Sequence, residues 1–271
     1  MAVLMPAVIS CNKQTDELKV MSFNVRYGLA DDGDNSWDIR KSAIPAMLAD
    51  KAPAVFGVQE AYNFQISYIT DCVPQYASIG VGRDDGSDNG EHMSIFYDQT
   101  RMELEDWGTY WLSETPDVPS KGWDAACIRT ATWALFKDKA ANKKFYFVNT
   151  HLDHVGVEAR RNGLAMVVER IGSMNPDGFP MILTGDFNVT PDDPCLEDLD
   201  KIMKSSRLYA EDTDEKGSYN AWGAHASKII DYIYYDGFEK CTDFKVVDET
   251  YDDKPFISDH YPVIATLIYR K

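Results

Sequence analysis

Six short segments constrain this chain more than anything else in it: FNVRYG (23–28), GVQE (57–60), NTHLDH (149–154), LTGDFN (183–188), IIDYIYYD (229–236) and ISDH (257–260). Each puts a carboxylate, amide or imidazole at or near the end of an apolar run. A run of four to seven apolar residues that stops at a polar group reads as a buried strand delivering that group to the rim of a sheet. Six deliveries imply one shared polar site on a sheet protein.

Strands are predicted at Leu18–Phe23, Ala54–Val58, Met93–Tyr97, Thr130–Phe136, Lys144–Thr150, Pro180–Thr184, Ile229–Tyr235 and Pro262–Ile268, most of them rich in Val, Ile, Phe and Tyr. Helices are expected between them. Ile39 to Asp50 follows Asp38 as an N-cap, with Ile39, Ala43 and Met47 on one face, and a second helix covers Phe64 to Cys72. From Val157, Leu164, Val167, Val168 and Ile171 keep helical spacing to a stop at Gly172, the other face carrying Glu158, Arg160, Arg161 and Glu169. Gly80–His92 and Trp107–Asp124 read as long surface loops, where specificity usually sits. No repeat or linker divides the chain, so residues 18–271 are expected to form one domain, working as a monomer.

The formal charge of −17, from 27 basic against 44 acidic residues, argues against the basic face that tight duplex nucleic-acid binding needs. The five cysteines, at 11, 72, 127, 195 and 241, form no C-x-x-C pair. Residues Ala2 to Ser10 are small and apolar and lead into Cys11, as in the end of a lipoprotein signal. No Lys or Arg precedes them, so residues 1–17 are either the remnant of such a signal, with a lipid anchor at Cys11 and an envelope location, or a disordered cytoplasmic start. No later stretch is long and apolar enough to span a bilayer.

LTGDFN is the strongest segment. A strand breaks at Gly185 and presents Asp186 and Asn188 two residues apart. A carboxylate can bind a hard cation or orient a water, and an amide donates to an anionic oxygen without adding charge. A calcium loop is the competing reading, with Asp186, Asn188, Thr190, Asp192 and Glu197 at ligand positions, but Pro191 stands where such a loop needs glycine. Asp259-His260, before the last strand, offers a general base or a stabiliser of phosphate charge. Asp231 lies in so apolar a strand that it needs a partner, and an imidazole such as His260 would serve. Glu60 ends its strand where a magnesium ligand is expected, and Asn24 ends another where it could orient that carboxylate or touch the metal. His151 and Asp153 fall on one face if their strand continues, with His154 opposite.

Arg129, just before a strand, either grips a phosphate or forms a surface salt bridge. Trp107, Trp111, Trp123 and Trp222 either line a pocket for a base, sugar or lipid or pack in the core, and His225, near Trp222, is a specificity candidate.

The order Asn24, Glu60, His151, Asp186-x-Asn188, Asp231, Asp259-His260 resembles the endonuclease/exonuclease/phosphatase superfamily over about residues 18 to 270. NTHLDH and TATWALF (130–136) look closer to a bacterial branch near the deadenylases than to the abasic-site endonucleases. Arg26 departs from several nucleases, which carry an acidic or small residue there. The resemblance implies an α/β fold, a four-layer αββα sandwich of two mixed β-sheets packed face to face with flanking helices. It implies Mg²⁺ or Mn²⁺ at Glu60, with Asn24 assisting and Asp259 completing the metal side. Asp186 would orient or deprotonate the attacking water, Asn188 would stabilise the phosphate, His260 paired with Asp231 would meet the scissile phosphate or act as base, and His151 would face it from the opposite wall. Arg129, Asp153, Trp222 and His225 are the expected substrate contacts.

The expected function is metal-dependent cleavage of a phosphodiester by activated water, in its leading version a 3′-directed exonuclease on single-stranded RNA or oligonucleotides that uses aromatic stacking. A phosphatase or phosphodiesterase on a small sugar or inositol phosphate or a phospholipid head group is the alternative. A catalytically silent binding module is the alternative of another class.

Overall fold

Runs such as Leu18–Phe23 are apolar nearly throughout because both faces of their strands are covered. The computed structural model describes residues 15–224 and 227–271, so Cys11 and His225 lie outside the described residues. In chain order the strands are β1 (Glu17–Asn24), β2 (Val55–Gln59), β3 (Tyr76–Ile79), β4 (Ile95–Asp98), β5 (Met102–Trp111), β6 (Thr130–Asp138), β7 (Lys143–His151), β8 (Met181–Asp186), β9 (Lys204–Ser205), β10 (Ala210–Thr213), β11 (Asp231–Asp236), β12 (Lys240–Val246) and β13 (Val263–Ile268). The helices are α1 (Trp37–Arg40), α2 (Ala43–Lys51), α3 (Asn63–Cys72), α4 (Val157–Met174), α5 (Glu197–Ile202) and α6 (Ser206–Tyr209). One sheet has the order β10-β12-β13-β1-β2-β4-β3 and the other β5-β6-β7-β8-β11-β9. Both are mixed: β1 runs parallel to β2 and β7 parallel to β8, with antiparallel strands beside them.

Alternation along the central strands sorts their side chains into three cores. Leu18, Val20 and Val55 of the first sheet meet Phe145, Phe147, Ile182 and Ile233 of the second. Met21, Phe23 and Phe56 point outward to Ile44, Met47, Leu48, Ile66 and Ile69 of α2 and α3. Val148, Leu183, Tyr232 and Tyr234 point outward to Leu164, Val167, Ile171 and Leu199 of α4 and α5. The result is the four-layer sandwich.

A polar seam ties the sheets together just below the rim. Asn149 Nδ2 donates to the carbonyls of Val58 (2.8 Å) and Ser94 (3.1 Å), and its Oδ1 accepts from Gln59 Nε2 at 2.7 Å. Gly57 is glycine because a Cβ there would sit 2.4 Å from Asn149 Oδ1.

Several expectations need correction. The helix expected from Ile39 to Asp50 is two helices, and Ile39 is 45% exposed because α1 buries Trp37 and Arg40 instead. Gly172 does not end α4, which runs on to Met174. Trp107 to Trp111 is strand, not loop. Strands β3, β5, β9, β10 and β12 lie outside the stretches where strands are expected. Of these, β5 and β12 break the apolar pattern with charged residues and each carries an irregularity, as strands near sheet edges do.

Candidate active site

Strand register brings the polar groups together. β1 and β2 end side by side, Asn24 opposite Gln59, so Glu60 follows directly. In the other sheet Asp186 at the end of β8 pairs with His151 on one side and with Asp231 on the other. Both rims open into one cleft of about 770 Å³ lined by Glu60, His151, Asp186, Asn188, Asp259 and His260 among others.

Asn24 is fully buried and organises the carboxylates. Its Oδ1 accepts the backbone N–H of Arg26, and only an oxygen can do so, which leaves Nδ2 to donate to Glu60 Oε1 and Asp186 Oδ2, both at 3.0 Å. Glu60 Oε2 accepts the N–H of Tyr27. Asp259 Oδ2 lies 3.7 Å from Arg26 Nη1, and Arg26 is itself held by Asp32. Arg26, Glu60 and Asn188 have φ of +55°, +64° and +53°. Such backbone is costly for a side chain like glutamate and persists only where surrounding contacts hold it, commonly at functional sites.

His260 Nδ1 donates to Asp231 Oδ2 at 2.8 Å, leaving Nε2 on the cleft side, 3.7 Å from Asp186 Oδ2. Burial alone would lower its pKa, but Asp231, Asp186 and Asp259 outweigh it and push it up to about 10, so the ring is an imidazolium at neutral pH. Burial and the charge of Asp231 push Asp186 up to about 7. His151 goes the other way. Burial, then Arg129 and Arg83, hold it well below the usual imidazole range, so it is neutral. Its Nε2 accepts from Asn188 Nδ2 at 3.0 Å.

Asn188 also donates to the Leu152 carbonyl, so both hydrogens of its amide are spent on protein groups while its backbone N–H donates to Asp186 Oδ1. The amide expected to meet phosphate is turned inward. Asp153, expected at the substrate, is buried and absent from the cleft lining. Burial would raise its pKa, but the N–H groups of Gly156, Ala126, Val155 and Cys127 hold it well below the usual carboxylate range. It anchors Arg129, which does line the cleft, through Nε at 3.2 Å. Trp222 packs on Phe256 and beneath Arg40, and none of Trp107, Trp111, Trp123 and Trp222 lines the cleft.

The cleft is also lined by Tyr27, Arg83, Glu91, Tyr219 and Lys228, which belong to none of the six segments or sit in them unmarked, by Arg26, by Arg160 from the helix face and by His154. Arg83 alone had a signal, as the one arginine in an acidic, glycine-rich loop.

Arg40 holds the site from behind. It is 1% exposed, with no carboxylate partner among the described residues, and donates to the carbonyls of Val25, Arg26, Asn35 and Ile257. Burial lowers its pKa to about 10. It joins the segment leaving Asn24 to the one entering Asp259-His260. Arg40→Met strands the carbonyls of Val25, Asn35 and Ile257, while that of Arg26 keeps the Gln65 amide, and is expected to cost about 3 kcal/mol or more, read from the midpoint of urea unfolding. A change below 1 kcal/mol would show that water replaces the clamp.

A ligand atom from each of Glu60, His151 and Asp186 falls within 4.8 Å of the others, and so does one from each of Asp186, Asp231 and His260. The first group, rich in carboxylate oxygen and open to the cleft, fits a hard divalent cation. The second is closed by the His260–Asp231 hydrogen bond. A family profile described as endonuclease/exonuclease/phosphatase matches residues 21–260. The chain belongs to that family and is a hydrolase acting on phosphate esters. It is similar to a family structure from Bacteroides vulgatus (35% identity, 94% of this chain and 99% of that one, TM-score 0.88) and to another from Bacteroides thetaiotaomicron (33%, 94% and 98%, TM-score 0.89). A mannosyl-6-phosphatase of Bacteroides thetaiotaomicron is 33% identical, over 93% of this chain and all of that one, with a TM-score of 0.88.

Proposed function

We propose that the protein is a divalent-cation-dependent phosphatase acting on a small sugar phosphate. The observation that carries this reading is the lining of the cleft, where charged and hydrogen-bonding groups dominate and every tryptophan named above is absent. A polyhydroxylated ligand needs many donors and acceptors, whereas an exonuclease on single strands stacks successive bases on a row of aromatic faces, of which this cleft, among the described residues, offers only Tyr27 and Tyr219. Several lysines beyond the cleft are tied up in ion pairs, as in Lys41–Asp38, Lys144–Glu105, Lys216–Asp248 and Lys240–Glu211. The likeness to a mannosyl-6-phosphatase supports the same reading.

Glu60, fixed by Asn24, would hold Mg²⁺ or Mn²⁺ beside Asp186, with Asp259 completing the metal side. The bound cation supplies Lewis-acid stabilisation of charge on the phosphoryl oxygens. Asp186, once ionised, orients the attacking water and accepts its proton. His260 presents Nε2–H to a phosphoryl oxygen as a cationic donor, kept cationic by Asp231. His151, neutral, holds Asn188 in place beside Asp186.

The test is hydrolysis, with Mg²⁺, of mannose 6-phosphate and glucose 6-phosphate beside bis(p-nitrophenyl) phosphate and a short oligoribonucleotide. The sugar phosphates are expected to be the better substrates by kcat/KM. Preference for the diester or the oligonucleotide would return the site to the phosphodiesterase reading.

A further inference from the structure

Beyond the reacting groups, the lining of the cleft includes three arginines, Arg83, Arg129 and Arg160. Arg129 side-chain exposure is 5%, and its two clear partners are Asp153 and His154, Nη2 donating to His154 Nδ1 at 2.9 Å. The Asp153 carboxylate also accepts four backbone N–H groups, from Ala126, Cys127, Val155 and Gly156, which fix it and the Arg129 it anchors in place. Arg160, from the first turn of α4, donates to the Asp153 carbonyl at 3.0 Å and has no carboxylate within ion-pair distance among the described residues. Arg83 comes from the Gly80–His92 loop. Its Nη1 meets Glu91 at 2.6 Å, while its Nε is buried with no hydrogen-bond partner, 3.8 Å from an Asp84 oxygen. All three guanidinium groups line the cleft.

These groups come from three separate elements of a chain with a net charge of −17. A guanidinium in a partly desolvated cleft is costly unless anions and acceptors meet it, and among the described residues Arg160 is left without a carboxylate and Arg83 with an unused Nε–H. The scissile phosphate is already faced by His260 and the carboxylate set that fits a cation. From this geometry we infer that Arg83, Arg129 and Arg160 form a second anion subsite, and that the preferred substrate is a sugar phosphate carrying a second negative group, a phosphate or a carboxylate, away from the bond that breaks. The inference rests on the sugar-phosphatase reading for the identity of the ligand. The subsite itself does not depend on turnover.

The test separates the two. Protein stripped of metal and desalted is titrated calorimetrically with glucose 6-phosphate, glucose 1,6-bisphosphate and 6-phosphogluconate. The doubly anionic compounds are expected to bind about tenfold tighter, in keeping with a charge-assisted contact. Arg83→Gln and Arg160→Gln, on different elements, are each expected to cut that advantage below threefold. A loss of fold would weaken all three ligands alike, so the ratio reports the subsite. A gain for the bisphosphate alone identifies a second phosphate as the recognised group, and a gain for both compounds identifies any anion, carboxylate included. Equal binding of all three, or an advantage unchanged in both variants, overturns the subsite. With Mg²⁺ added, failure to hydrolyse any of the three removes the phosphatase reading and leaves the binding result to stand or fall alone.

Discussion

Asp186→Asn lowers turnover by roughly 10³-fold or more, the range for loss of a positioned base, and at the same time makes the metal-free protein more stable at pH 8. The first effect follows from the carboxylate's place between Asn24, the N–H of Asn188 and the cleft. The second follows from its environment. Burial and Asp231 raise its pKa to about 7 in the fold. A group raised in this way contributes stability that is fully present below its unfolded value, near 4, and lost as pH climbs through about 7. At pH 8 the metal-free fold carries that cost and asparagine does not. The gain in Tm, at roughly 2–4 °C per kcal/mol for a chain of this size, is expected at pH 8 and absent at pH 4. Thermal melts in chelator at both pH values, beside kcat with Mg²⁺, give the answer. Turnover within tenfold of the parent, or a lower Tm at pH 8, would remove Asp186 from the centre of the mechanism.

Chelation is expected to bring hydrolysis to background, and Mg²⁺ or Mn²⁺ to restore it. The cation binds the folded state alone, so a hundredfold excess over its Kd adds about 2.7 kcal/mol, a rise in Tm on the order of 5 °C or more. Glu60→Gln keeps the fold and loses most of this rise, because the amide is a weaker ligand for a hard cation. Calorimetric melts with and without Mg²⁺ test the site apart from turnover. A full thermal response in Glu60→Gln would move the cation elsewhere, and undiminished hydrolysis after metal removal would count against a metal role altogether.

The parts of this architecture legible in the sequence are those with both faces buried. Strands β1, β2, β7, β8 and β11 announce themselves because they are mostly apolar and a site residue stands at or beside the rim end of each. Strands such as β5, with Glu103, Glu105 and Asp106, look like loop because their outer positions are exposed. The same logic governs the site. Asp186, Asp231 and His260 could be placed by asking what a carboxylate needs inside an apolar strand. Arg83 and Arg160 could not, since they reach the cleft from a loop and a helix face whose placement is decided by tertiary packing. Asp153 and Trp222 misled for a related reason: residue type suggested contact with a ligand, and only the partners show that one anchors Arg129 and the other covers Arg40.

The left-handed backbone at Arg26, Glu60 and Asn188 has an evolutionary consequence. A glycine at any of these positions would relax the chain locally, so selection for stability alone pulls against the side chains that face the cleft. Glu60 is the most exposed to that pull, since asparagine tolerates this conformation better than glutamate does. A lineage that stopped using the site would be free to drift, and its position 60 would be among the first to be lost to glycine or asparagine. Retained glutamate in such backbone is therefore a record of continuing use, readable in any relative once its own structure is known.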